Sequence, residues 1–262
     1  MMPLVVTQAI VLHAFDYLET SRVLRLITRE AGVQSVIAKG ARRTRGRVGT
    51  GVDLFAEGEA QIYIKPTRDL HTLASFDVTA SRAALALEMT RFTAASALAE
   101  LVLRVASDDS TPELFDSLSR SLDAVALASG AEVVAQALAG AWQLVAEAGF
   151  APVVDECASC HAALDPMQSV AFSASAGGAL CESCARRGAV ARRLPSAARH
   201  ALRGWLQGTK GAEGAVIGPL EARAHQRLLR EFLRQHVSTD ERGMRAFTAW
   251  ETDFGAPPAP AA

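Results

Sequence analysis

The sequence predicts an α+β protein: a small closed β-barrel of five strands, OB-fold or SH3-like, followed by an all-helical domain with a four-cysteine zinc module inserted in it. Three observations predict this. Residues up to about 80 alternate with a period of two and are punctuated by glycine; residues after 81 repeat at three and four; and all four cysteines fall between 157 and 184.

Taken in order, the barrel strands are read as follows. Gln8 to Phe15 is a β-prone run, and Leu24 and Leu26 straddle Arg25. Val33 to Ala38 follows, then Ala60, Ile62 and Ile64 alternating with Gln61, Tyr63 and Lys65, then Leu70 to Val78. Alternation of that kind marks strands with one face buried. Gly32, Gly40, Gly46, Gly49, Gly51 and Gly58 separate them. After Ser81 the period changes. Leu85, Met89, Phe92, Ser96, Ala99 and Leu103 predict the inner face of a long helix. Thr111-Pro112 starts a second helix toward Ala128, with proline at its first position. Val134, Leu138, Trp142 and Val145 form the stripe of a third, which Gly149 ends.

The cysteines read Cys157-x-x-Cys160, twenty intervening residues, then Cys181-x-x-Cys184. Two residues between thiolates let one turn aim both sulfurs at a common point, and two such turns close a tetrahedral shell around Zn²⁺. Four cysteines leave no position for water, so the metal is expected to be structural. His161 and His200 are not required by the spacing. Past the cysteines, Leu194-Pro195-Ser196 opens a helix carrying Leu202 and Trp205 or Leu206, and Gly208 to Gly218 interrupts. Pro219 starts a last long helix with Leu220, Ala224, Leu228 and Phe232 inside and Arg223, Arg227, Arg230 and Arg234 sharing a face. The division is therefore a barrel over 1–80, helical parts over 81–154 and 187–254, a zinc-binding module over 155–186, and a disordered tail over 255–262.

Half of the 262 residues are apolar and the formal net charge is −1, the composition of an ordinary globular protein. Charge is unevenly spread: +2 over 1–80, −5 over 81–150 and +2 over 151–262. No stretch has the continuous apolarity of a membrane span, and thiols without a disulfide framework suit the reducing cytoplasm. No phosphate-binding glycine loop and no nucleophile with a paired base is present, so no enzyme is expected. Lys39, Arg42, Arg43, Arg45 and Arg47 place five cations in nine residues without an acid. Such a loop suits a phosphate backbone or, alternatively, an acidic protein tail docking on a zinc-stabilised adaptor. Among aromatics, Tyr63 on the polar side of its strand is the better candidate for stacking a base, whereas Phe76 reads as core.

Several runs resemble the bacterial RecO family of DNA repair and recombination mediators. Ala9-Ile10-Val11-Leu12 with Asp16-Tyr17-Leu18-Glu19 resembles its opening strand and turn. Thr28-Arg29-Glu30-Ala31-Gly32 leads to Ala38-Lys39-Gly40-Ala41-Arg42-Arg43, and Ala148-Gly149-Phe150-Ala151-Pro152 precedes the cysteines. Phe172-Ser173, Gly177-Gly178 and Cys181 follow in the family's order. The resemblance implies an amino-terminal OB-fold and a helical carboxy-terminal domain carrying the zinc module. It implies binding of single- and double-stranded DNA, annealing of complementary strands and, with RecR, loading of RecA onto DNA coated by single-strand-binding protein. The expected location is cytoplasmic, with the nucleoid during repair. Lys39, Arg42 and Arg43 fall in the family's DNA-binding region; Arg45 and Arg47 extend it by charge.

Overall fold

A computed structural model describes residues 3–41, 52–65, 67–106, 112–187, 190–208, 217–237 and 244–253. Five strands, β1 (Leu4–Tyr17), β2 (Ser21–Thr28), β3 (Gly32–Ala38), β4 (Glu57–Tyr63) and β5 (Leu70–Ala80), close into a barrel in the order β1-β2-β3-β5-β4. The pairs are antiparallel except β3 with β5, the contact by which the chain returns across the barrel. That is OB-fold closure, and it decides between the two barrel types left open by periodicity. A long first strand makes the closure possible. Its first half pairs with β4 and its second half with β2, with a bulge between Val11 and His13 that bends it.

The bulge also exchanges the faces of β1. Ala9 and Val11 point inward with Leu24, Leu26, Val36, Ala38, Ala60, Ile62, Leu73 and Phe76. Beyond it Ala14 lies on the inner side, so His13, Phe15 and Tyr17 face out. Phe76 is core, as its pattern predicts. At Gly58 any Cβ would sit 2.4 Å from the Asp77 carbonyl oxygen, so only glycine admits the β4–β5 approach.

The barrel's other packed face belongs to the helical region. Ile10, Leu12, Ile27 and Phe55 join a core built by α1 (Met89–Val105), α2 (Pro112–Leu127) and α3 (Glu132–Glu147). Arg82 fixes the junction. Its buried guanidinium donates to the Phe55 carbonyl (3.0 Å) and Glu57 (2.9 Å) on the barrel side, and to Ser119 Oγ (2.8 Å) and Asp123 (2.7 Å) on α2. Burial draws its pKa down, but Asp123 and Glu57 outweigh that and raise it.

The predicted third helix is α3, and Val134, Leu138, Trp142 and Val145 are all fully buried. Two helical faces differ from expectation. Leu85 belongs to a separate 3₁₀ turn, Met89 is exposed, and α1 instead buries Ala94, Ala95, Leu98, Leu101 and Val102. The helix is covered on several sides, by the barrel, α3 and α7 (Arg245–Asp253), so its small residues are the ones that pack. Glu100 of α1 accepts the amides of Arg245 and Phe247 at the start of α7 (2.9 and 3.0 Å).

After α3 come β6 (Val170–Ser173), β7 (Gly178–Leu180), the short α4 (Glu182–Ala185) and β8 (Arg192–Leu194), then α5 (Ser196–Leu206) and α6 (Pro219–His236). On α6, Leu228 and Phe232 are buried as expected, but Leu220 and Ala224 are exposed, and Ala222, His225 and Leu229 complete the inner face. The Phe232 ring packs at a tilt against Trp142 of α3 (5.5 Å) and Phe172 of β6 (6.3 Å), joining the small sheet to the helical core.

Candidate metal centre and nucleic-acid face

Each cysteine pair sits on a turn that the local backbone closes. In the first, the Cys157 amide donates to the Ala162 carbonyl and the His161 amide to the Cys157 carbonyl, both at 2.8 Å. His161 adopts a left-handed φ of 60° to make the return. In the second, β6 and β7 form a hairpin, and Cys181 ends it as the residue before α4, which carries Cys184. Val153 locks the two halves together, accepting from Ala179 N (2.8 Å) and donating to the Gly177 carbonyl (3.0 Å).

The result is one cluster: the four Sγ atoms of Cys157, Cys160, Cys181 and Cys184 lie within 4.8 Å of one another, and none is in a disulfide. A tetrahedron with Zn–S bonds of about 2.3 Å has edges of about 3.8 Å. Cys160 Sγ and Cys181 Sγ are 3.7 Å apart. The donor set and its size therefore fit a tetrahedral metal ion. Electrostatics agree. Burial pushes the Cys157 thiol up, but backbone N–H groups of Cys181, Ser159 and Cys160 outweigh it and bring it down to about 6. Cys184, beside the thiols of Cys181 and Cys160, is pushed up to about 12. Four sulfurs this close cannot all ionise against one another, whereas a divalent cation at their centre removes the conflict.

What holds this segment to the helices is an arginine that sequence reasoning missed. Arg199 of α5 is fully buried and donates to the carbonyls of Val154 (2.7 Å), Asp165 (2.6 Å) and Leu164 (3.3 Å). Arg203, one turn on, pairs with Asp155. The available signal was position: Arg199 lies three residues before Leu202 and so on the same helical face as a core leucine.

The cationic residues separate into two groups. Lys39 is exposed just past the end of β3, while Arg42, Arg43, Arg45 and Arg47 lie outside the described residues. Arg29 is drawn into the junction, bonded to Asp116 of α2 at 2.8 Å, and Arg22 pairs with Asp16 at 3.2 Å. Arg223, Arg227 and Arg234 are exposed along α6, but Arg230 turns to Glu251 of α7 at 2.9 Å. Tyr63 is exposed on the outer face, and His71 accepts from the Lys65 amide.

Residues 1–82 match the family model described as Recombination protein O N terminal, and residues 86–245 match Recombination protein O C terminal. The chain belongs to the RecO family. The boundary between the two models falls just past Arg82, the side chain that joins barrel to helices. Curated relatives named DNA repair protein RecO include that of Synechococcus elongatus, 37% identical over 185 residues, covering 68% of this chain and 69% of the relative. That of Anaeromyxobacter sp. strain K is 34% identical over 232 residues, covering 87% and 89%. Membership of the RecO family carries a role in DNA repair. No helix among the described residues is long and apolar enough to cross a membrane.

Proposed function

We propose that this RecO-family chain is a non-enzymatic mediator that holds single- and double-stranded DNA, brings complementary strands together, and acts with RecR to help RecA onto DNA coated by single-strand-binding protein. The observation that carries the reading is the match of both halves of the chain to the family, in order and with little gap between them. Physical chemistry supports it. Two strands repel through their phosphates, and cations that neutralise both lower that repulsion so that base pairing can proceed. Lys39, Arg42, Arg43, Arg45 and Arg47, which follow β3 in the sequence, are the residues we assign to that contact. Exposed Arg223, Arg227 and Arg234 on α6 would extend the same service at lower charge density.

In this reading the four cysteines bind one structural Zn²⁺, which braces the β6–β7 hairpin and supplies no chemistry to the DNA. Val170, Phe172 and Ala179 tie the hairpin to the main core, but the cysteine turns have only a small cluster of Cys157, Leu180 and Cys184 around them. The protein works in the cytoplasm. The test is an annealing assay: two complementary oligonucleotides, one with a fluorophore and one with a quencher, bare and coated by single-strand-binding protein, with and without RecR. Faster quenching on addition of the protein supports the reading. Unchanged quenching in all four conditions contradicts it.

A further inference from the structure

The barrel carries a surface feature that charge does not explain. Past the bulge in β1, His13, Phe15 and Tyr17 project from alternate residues on the outer face, and the first two rings stand 5.9 Å apart. Phe15 and Tyr17 keep 46% and 43% of their surface exposed, so both rings are open to solvent. Strand register continues the row sideways. Phe15 faces Val23 of β2, Val23 faces Ile37 of β3, Ile37 faces Thr72 of β5, and Thr72 faces Tyr63 of β4. One rank back, His13 faces Arg25 and Arg25 faces Ser35. Val23 in that row is buried, at 5% exposed, so the rings open to solvent are those of Phe15 and Tyr17 on β1 and of Tyr63 on β4, while Ile10, Leu12 and Ile27 pack into the helical core.

We propose that His13, Phe15 and Tyr17 form a stacking platform for unpaired bases. Spacing is the first argument. Alternate residues on one face of a strand repeat at about 6.8 Å, twice the 3.4 Å between stacked bases along a DNA strand. Bases seated ring on ring must therefore be pulled apart, which a single strand allows and a duplex does not. Charge is the second. Arg22 pairs with Ala38, so β3 ends at the end of the barrel where Tyr17 turns toward Ser21, and exposed Lys39 begins the cationic run there. A phosphate held by Lys39 would leave its base near the rings. The nearby carboxylate of Asp16 lies on the opposite side of β1 and is engaged by Arg22. This inference rests on the DNA-binding reading above and adds to it a preference for strands with accessible bases.

The experiment uses the full metal-loaded chain and three fluorescent ligands of equal length: oligothymidylate, a fully abasic strand, and a blunt duplex. Phe15→Ala with Tyr17→Ala should weaken oligothymidylate binding at least about 25-fold, from two lost stacks, and leave the duplex and the abasic strand within about twofold. Phe15→Trp should keep the affinity and gain a fluorescence signal that oligothymidylate quenches and the abasic strand does not. The three native tryptophans, Trp142, Trp205 and Trp250, are buried and give a flat background. Unchanged oligothymidylate affinity in the double variant, or an equal loss on all three ligands, overturns the platform and leaves the DNA-binding reading standing. If the unsubstituted protein binds none of the three, the DNA-binding reading itself falls and the platform with it.

Discussion

Arg82→Ala is the perturbation from which the two-part architecture can be checked by number. The side chain is 3% exposed and bridges barrel to α2 through Phe55, Glu57, Ser119 and Asp123. Without it the Phe55 carbonyl loses the guanidinium, and Glu57, 19% exposed, keeps Ser119 Oγ at 2.6 Å but no counter-charge. Removing one partner of a buried pair costs about 3–5 kcal/mol. Asp123 is 56% exposed and regains water, which places the loss near the lower figure. At about 2–4 °C per kcal/mol for a chain near this size, Tm should fall by about 6–12 °C. Arg82→Lys should fall nearly as far, since one ammonium cannot reach both sides of the junction. Scanning calorimetry on the three proteins reads the result. A Tm within about 2 °C of the parent for Arg82→Ala would refute the reasoning, because a bridge with that little effect cannot be what seats the barrel.

Three further outcomes follow from other parts of the molecule. Cys157→Ser should lower bound metal from one zinc per chain to well below one by elemental analysis, and chelation of the parent should free four thiols; thiol counts that ignore the chelator would contradict a closed S₄ site. His225, buried against Trp205 with neither ring nitrogen bonded among the described residues, has its pKa drawn down by burial to about 4, so the neutral ring is the folded form. Between pH 6.5 and 4 the unfolded chain binds a proton the folded one does not, and stability should fall by about 1.4 kcal/mol per pH unit, about 3 kcal/mol in all; His225→Phe should remove that part of the acid slope in denaturant titrations, and identical slopes would contradict it. Gly178→Ala should disrupt the hairpin and weaken metal binding, since φ is +155° and a Cβ would lie 2.1 Å from the Val153 carbonyl oxygen. Gly177→Ala, with nothing within 4 Å, should cost only about 1–2 kcal/mol of backbone strain, and equal losses at the two positions would show that the clash is not the cause.

The parts of this structure visible in the sequence are those set by local repetition. Alternation at Ala60–Lys65 located β4, and the stripe through Val134 and Trp142 located α3, because half-covered elements write their burial into one periodicity. Where an element is covered on several sides the stripe dissolves: α1 buries Ala99 as expected, but also Ala94, Ala95 and Ala97, which no apolar period singles out. The cysteine spacing was sufficient to foresee the cluster, since two turns and two pairs leave few other arrangements. Features made by residues far apart in the chain were not readable. Arg82 meets Asp123 and Phe55, and Arg199 meets Val154 and Asp165, only after the chain has folded. The outward turn of Phe15 and Tyr17 depends on a bulge, an extra residue whose position alternation alone does not disclose.

The central claim is that clustered guanidinium and ammonium groups after β3 grip DNA phosphates, and the salt dependence of oligonucleotide binding tests it most directly. If Lys39, Arg42, Arg43, Arg45 and Arg47 all contact a single strand, log affinity should fall against log salt with a slope of about −3.5. Reversing the five charges should flatten that line. The same slope in parent and reversed protein would contradict the account.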